Sequence, residues 1–112
     1  MAQFLATMAR FDIYRNPGTH AATTPFLVDV QSEHLSSLVT RVVIPLRLVE
    51  SFPPVRLPQD LMPVFHIEGQ ACFLDTPKLA AVPQRELGQA LGSLRDRQDN
   101  IVAALDRLFG AF

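Results

Sequence analysis

Proline sets the first limit on this fold: all nine prolines fall between Pro17 and Pro83, and none occurs from Gln84 to Phe112. Proline removes a backbone donor and breaks helix interiors, so the punctuated region reads as short strands and turns, and the proline-free tail is free to be helical. Within the first region, Arg10 to Arg15 alternates as a half-buried strand and is followed by turn chemistry at Asn16-Pro17-Gly18. Phe26 to Gln31 places Phe26, Val28 and Val30 on one face and Leu27, Asp29 and Gln31 on the other. Val39 to Leu46 is β-branched, and its Pro45 predicts a sheet edge or a bulge. Pro63 to Glu68 and Ala71 to Asp75 flank Gly69-Gln70 as a hairpin, for a total of about five strands. Pro53-Pro54 and Pro58 mark a surface loop.

In the tail, Leu87, Leu91, Leu94, Ile101, Leu105 and Leu108 recur at three- and four-residue steps, the stripe of a helix packed by one face. Gln98 interrupts the stripe, and Gly88 and Gly92 weaken its first half. The expectation is a short irregular helix, then a firm one from Leu94 to Phe109 opened by a capping-box-like Ser93-Leu94-Arg95-Asp96. The fold class is therefore α+β, mainly antiparallel sheet with a C-terminal α-helix.

At 112 residues the chain is one domain. A net charge of -1 supplies no positive field for phosphate backbones, which argues against direct binding of nucleic acid. Charged residues at 19% and apolar residues at 48% suit a folded domain, and no apolar run reaches the ~18 residues of a membrane span. The single cysteine, Cys72, cannot form an intrachain disulfide and fits a reducing cytoplasm. The start lacks the pattern of a signal peptide. Because the strand pattern begins after Met8, residues 1–7 read as an extension and residues 8–112 as the domain.

The residues announce no enzyme. His20, His34 and His66 lack metal-ligand spacing, and there is neither a glycine-rich phosphate loop nor a nucleophile elbow. His66 and Glu68, at i, i+2 of a strand, are the best acid/base candidates, but a histidine between Phe65 and Ile67 reads more readily as a half-buried sheet residue. Arg95, Arg97 and Arg107 lie among Asp96, Asp99 and Asp106, as on a solvated helix face with local pairing. The ending Leu108-Phe109-Gly110-Ala111-Phe112 is unusually aromatic for a terminus. Taken alone it favours burial on the core or in a dimer over presentation as an anchor.

Several separated segments resemble one family. They are Phe11-Asp12-Ile13-Tyr14, Leu27 to Ser32, Arg41 to Leu46, Pro63 to Ile67, Ala81-Val82-Pro83, and Arg97 with Asn100-Ile101 leading into Leu108-Phe109. In order and spacing the chain resembles the CcdB toxins, the gyrase-poisoning halves of bacterial toxin-antitoxin pairs. The resemblance implies the CcdB/MazF-like toxin fold, a homodimer, no cofactor, and action by binding the A subunit of DNA gyrase to trap its cleaved-DNA complex. It also implies neutralisation by a CcdA-like antitoxin whose disordered tail folds on the toxin, with the loop after Tyr14 and the region from Ser51 to Pro58 as exposed candidates for that contact.

The family's tail ends Phe-Trp-Gly-Ile, with the tryptophan important for gyrase contact, whereas this chain has no tryptophan. An ungapped match places Gly110, Ala111 and Phe112 at the last three positions and keeps Phe109. A one-residue shift puts Phe109 at the tryptophan and retains Gly110. A contributing helix asparagine falls at Asp106, and a pair of isoleucines after the second strand falls at His34 and Leu35. The resemblance thus implies gyrase binding by Phe109, Gly110, Ala111, Phe112, Asp106, Leu35 and His34. The competing expectations are a MazF-like endoribonuclease, disfavoured by balanced charge and the lack of tryptophan or paired tyrosines, and a non-poisoning relative that retains antitoxin binding.

Overall fold

A computed structural model describes residues 9–52 and 58–110. The expected extension 1–7 and Pro53-Pro54 of the expected surface loop lie outside the described residues. Among the described residues, seven strands form one antiparallel sheet: β1 (Asp12–Arg15), β2 (Phe26–Asp29), β3 (Thr40–Leu48), β4 (Val64–Ile67), β5 (Gln70–Leu74), β6 (Ala80–Pro83) and β7 (Gly92–Ser93). The spatial order is β4-β5-β3-β2-β1-β7, with β6 also paired to β3. The chain ends in helix α1 (Gln98–Phe109), so the α+β class with a C-terminal helix holds.

Alternation within the strands builds two cores. In the cross-strand register Ile13, Val28 and Ile44 line up on one face, as do Phe26, Leu46 and Leu74. That face packs against Leu94, Ile101 and Ala104 of the C-terminal segment. On the other face Tyr14, Leu27 and Val43 pack with Leu87. β2 is consequently buried on both sides, and the two-face reading of Phe26 to Gln31 is met with a core on each.

Burial of the Tyr14 phenol pushes its pKa up to about 12, reinforced by the nearby Asp12 and Asp29 carboxylates. A pKa raised in the folded state means that the unfolded chain releases its proton first. The contribution of Tyr14 to stability is therefore expected to be full below about pH 10 and to fall as the pH rises towards 12. Urea melts between pH 9 and 11 check this against Tyr14→Phe, which should flatten the slope. Cys72, whose buried thiol is pushed up to about 11, is common to both proteins and cancels in the comparison.

Three expectations are corrected. Pro45 does not mark an edge or bulge: it sits within β3, the central nine-residue strand, opposite Leu27 of β2. Its tolerance comes from the other side of β3, which pairs with β6 over Thr40 to Val43 and with β5 over Leu46 to Leu48. The missing N–H faces the break between those partners, where the Pro45 carbonyl accepts the Asp75 N–H at 3.0 Å. The hairpin turn is Glu68-Gly69, one residue earlier than expected, because both residues take positive φ (52° and 78°) and Ile67 pairs with Gln70.

The irregular helix expected after Gln84 is a 3-10 turn (Gln84–Glu86) followed by an extended run ending in β7. This run follows β1: Leu91 N–H donates to Ile13 O and Leu94 N–H to Phe11 O, both at 2.8 Å. Leu87 reaches the second core and Leu94 the first, so the segment wraps the β1 side of the sheet from one face to the other. Its leucine spacing records that crossing and not a helical stripe. The Ser93 hydroxyl accepts from Arg95 N–H in a local turn that leads into a 3-10 turn (Arg95–Arg97), and α1 starts only at Gln98.

Candidate partner-binding site

Phe109 is presented to solvent and not packed on the core. α1 turns Ile101 and Ala104 fully inward with Leu105 packed partly buried beside them, while Phe109 at the last helical position is 70% exposed. Gly110 ends the helix in the left-handed region at φ 74°, its N–H donating to Asp106 O, a conformation glycine adopts without strain. Arg107 Nε donates to Asp60 Oδ2 at 2.9 Å and ties the last turn to the segment before β4. Asp106 is half-buried on the same turn. Ala111 and Phe112 lie outside the described residues.

A second apolar surface lies on the turn after β2. The 3-10 turn Glu33–Leu35 buries none of its residues; His34 is exposed, and Leu35, Leu38 and Val39 are large hydrophobics open to solvent. Glu33 accepts from Arg95 Nη2 at 2.8 Å, and that hydrogen bond holds its carboxyl below the usual range. This contact joins the turn to the start of the helical region. Phe109 stands at the opposite end of α1, about 16 Å away along the helix axis. Within the chain the structure therefore groups Phe109, Gly110 and Asp106, groups His34 with Leu35, and keeps the two sets apart.

The arginines do not pair locally among Asp96, Asp99 and Asp106 as expected. Arg95 reaches Glu33 and Arg107 reaches Asp60, while Arg97 donates to Asn100 Oδ1 and lies 4.7 Å over the Phe65 ring. The reason is geometric: each guanidinium lies at an end of the helical region, where another segment comes within reach.

What no sequence pattern singled out is a buried polar network behind the turn. Arg41 and Asp29 have side chains 0% exposed; Arg41 Nε donates to Asp29 Oδ2 at 2.8 Å and Nη2 to Oδ1 at 3.0 Å. Arg41 Nη2 also donates to Gln31 O. The available signal was one charge of each sign set among Val28, Val30, Val42 and Val43.

His66 and Glu68 form no acid/base unit. His66 is exposed, which corrects the half-buried reading, because β4 turns Phe65 and Ile67 inward. Glu68 leaves the strand into the hairpin turn, and its carboxylate accepts from Arg15 Nη2 at 3.3 Å. Among the described residues no three His, Cys, Asp or Glu side chains gather closely enough to hold a metal. Beside the loop after Tyr14, a cleft of about 300 Å3 is lined by Asn16, His20, Arg47, Asp75 and Lys78 over Leu27 and Pro45. Asn16 organises that loop, donating to Thr24 O at 2.8 Å and accepting from Gly18 N–H. Among the described residues no helix is long and apolar enough to cross a membrane.

These features define a small α+β protein that displays apolar side chains at a helix end and on a turn, a form suited to engaging another macromolecule. A family model described as CcdB protein matches residues 10–110 of the 112. The chain belongs to the CcdB family and is a CcdB-type toxin.

Proposed function

We propose that this protein is the toxin of a type II toxin-antitoxin pair, acts in the cytoplasm as a homodimer, binds the A subunit of DNA gyrase and traps the cleaved-DNA complex. The observation that carries this reading is an exposed Phe109 immediately before a helix-ending Gly110 in a member of the CcdB family. An aromatic residue followed by glycine keeps the order of the family's tail under the one-residue shift, so Phe109 stands where the tryptophan would. Asp106, Ala111, Phe112, His34 and Leu35 complete the proposed gyrase surface. A two-fold dimer would bring a second copy of each exposed patch to the same assembly. Poisoning of this kind is binding: the toxin need only favour one state of its target, and no cofactor or catalytic group is required.

The partner that neutralises it is a CcdA-like antitoxin. The cleft beside the loop after Tyr14, with Lys78 and the Arg47–Asp75 pair around the apolar floor of Leu27 and Pro45, supports docking of a partly apolar antitoxin segment there. The whole reading is tested by incubating supercoiled plasmid with gyrase from the source organism, ATP and rising amounts of toxin. Dose-dependent linear DNA after detergent and protease treatment is expected. Background cleavage with folded protein in the same sample would overturn gyrase poisoning and point to the non-poisoning relative.

A further inference from the structure

The turn bearing His34 and Leu35 has no buried residue of its own, so packing cannot fix where it stands. Its surface tie, Glu33 to Arg95, joins side chains 46% and 52% exposed, and such pairs hold little against water and salt. What holds it from inside is Gln31. The Gln31 amide oxygen accepts from Val42 N–H of β3 at 2.9 Å, while its amide nitrogen donates to Leu35 O at 3.1 Å. Its own N–H donates to Asp29 Oδ1 at 2.9 Å, and its carbonyl accepts from Arg41 Nη2 at 3.2 Å. All four polar groups of this buried residue are thereby engaged, two by the buried ion pair, one by the sheet and one by the turn.

β2 ends at Asp29, Val30 N–H donates to Val42 O, and the Gln31 side chain supplies the acceptor for Val42 N–H that a continued strand would have offered. The same amide then clamps the Leu35 carbonyl, which also accepts from Leu38 N–H. Moving the turn would break a hydrogen bond whose partner is fixed to the central strand, leaving the amide nitrogen of the buried Gln31 unpaired.

We propose that Gln31 is a positioning residue: its side-chain amide, locked by the Asp29–Arg41 pair and β3, sets the His34–Leu35 turn in the orientation that meets gyrase. This rests on the reading of that turn as a gyrase-facing surface. Gln31→Glu keeps the acceptor for Val42 N–H but loses the donor to Leu35 O. Gln31→Met keeps length and apolar bulk without either bond, and serves if the glutamate variant does not fold.

The test measures affinity for purified gyrase A subunit in wild-type and His34→Ala, Leu35→Ala backgrounds, with amide hydrogen exchange of Leu35, Ser36 and Leu38 alongside. The Gln31 variant is expected to weaken binding about tenfold in the wild-type background, the scale of one hydrogen bond. In the double-alanine background its effect should shrink below about twofold, because coupled sites are not additive. Equal losses in both backgrounds would overturn the proposal, since a general structural defect acts regardless of the turn. If the double-alanine protein itself binds as tightly as wild type, the failure belongs to the functional reading. Exchange then decides alone: acceleration confined to the turn upholds positioning by Gln31, and unchanged exchange overturns it.

Discussion

Asp29→Ala is expected to cost about 3–5 kcal/mol, the range for breaking a buried ion pair from one side. Desolvation sets the size of this loss. Both side chains are 0% exposed, so the guanidinium of Arg41 would lose its carboxylate in a place where little water can replace it. Set against a total of about 5–15 kcal/mol for a domain, the loss leaves the fold marginal, and Tm should fall by more than about 10 °C. Gln31 N–H loses its acceptor in the same step, so the turn at His34 and Leu35 should loosen with the core.

The control is the pair removed together. Asp29→Leu with Arg41→Met deletes both charges and fills the space with apolar atoms, and is expected to be less destabilised than the sum of the single changes. Urea denaturation of the four proteins closes the cycle. A single-variant loss below about 1 kcal/mol would show that the pair is solvated in solution and would remove its role as the anchor behind the turn.

Phe109→Ala is expected to do the opposite, leaving stability unchanged and weakening binding. Its ring is 70% exposed at the end of α1, so truncation removes little buried area and should shift stability by less than about 0.5 kcal/mol. If Phe109 is the aromatic anchor of the gyrase contact, the same truncation should cost about 2 kcal/mol or more of binding, at least roughly thirtyfold in Kd. Titration against gyrase A subunit, with a thermal melt of the same sample, separates the two effects. Unchanged affinity would take Phe109 out of the interface and shift attention to Phe112. Lost affinity together with a lowered melt would mean that the ring is buried in the assembly the toxin forms with itself.

Exposure is also what divides the two readings of the tail. Burial of Phe109 on the chain's own core would have required the apolar stripe of α1 to continue to its end, but it stops being deeply buried after Ala104. Beyond that point the last turn makes the exposed surface pair Arg107 to Asp60 and is ended by Gly110. A helix ended by glycine in this way places its terminal ring through backbone geometry, which reduces the ordering cost of binding.

As a proposal from resemblance and residue type, the candidate surface was in view in the sequence, and Phe109, Gly110, His34 and Leu35 are exposed. What supports that surface was not. Gln31 read only as one position on an alternating strand, and its two amide contacts reach Leu35, four residues on, and Val42, eleven residues on. The arginines of the tail read as a local solvated face, yet Arg95 and Arg107 bond residues 62 and 47 positions away. Charge patterning along a helix describes neighbours on that helix and carries no information about which other segment comes within reach.

By itself, the sequence determined what backbone geometry and nearest neighbours decide. Alternation in Phe26 to Gln31 assigned side chains to two faces, glycine located the hairpin, and the spacing of Ile101 with Leu105 selected a helix with one packed side. Tertiary structure decided everything that depended on which strands meet and in what register. It let Pro45 sit in the central strand, because β5 and β6 leave a break beside it. It drew the leucines from Leu87 to Leu94 out of a helical pattern and across the sheet, because β1 offered backbone partners and each face offered a core. It also joined Asp29 to Arg41 across the β2–β3 pairing, where two charges that could not be buried singly could be buried together.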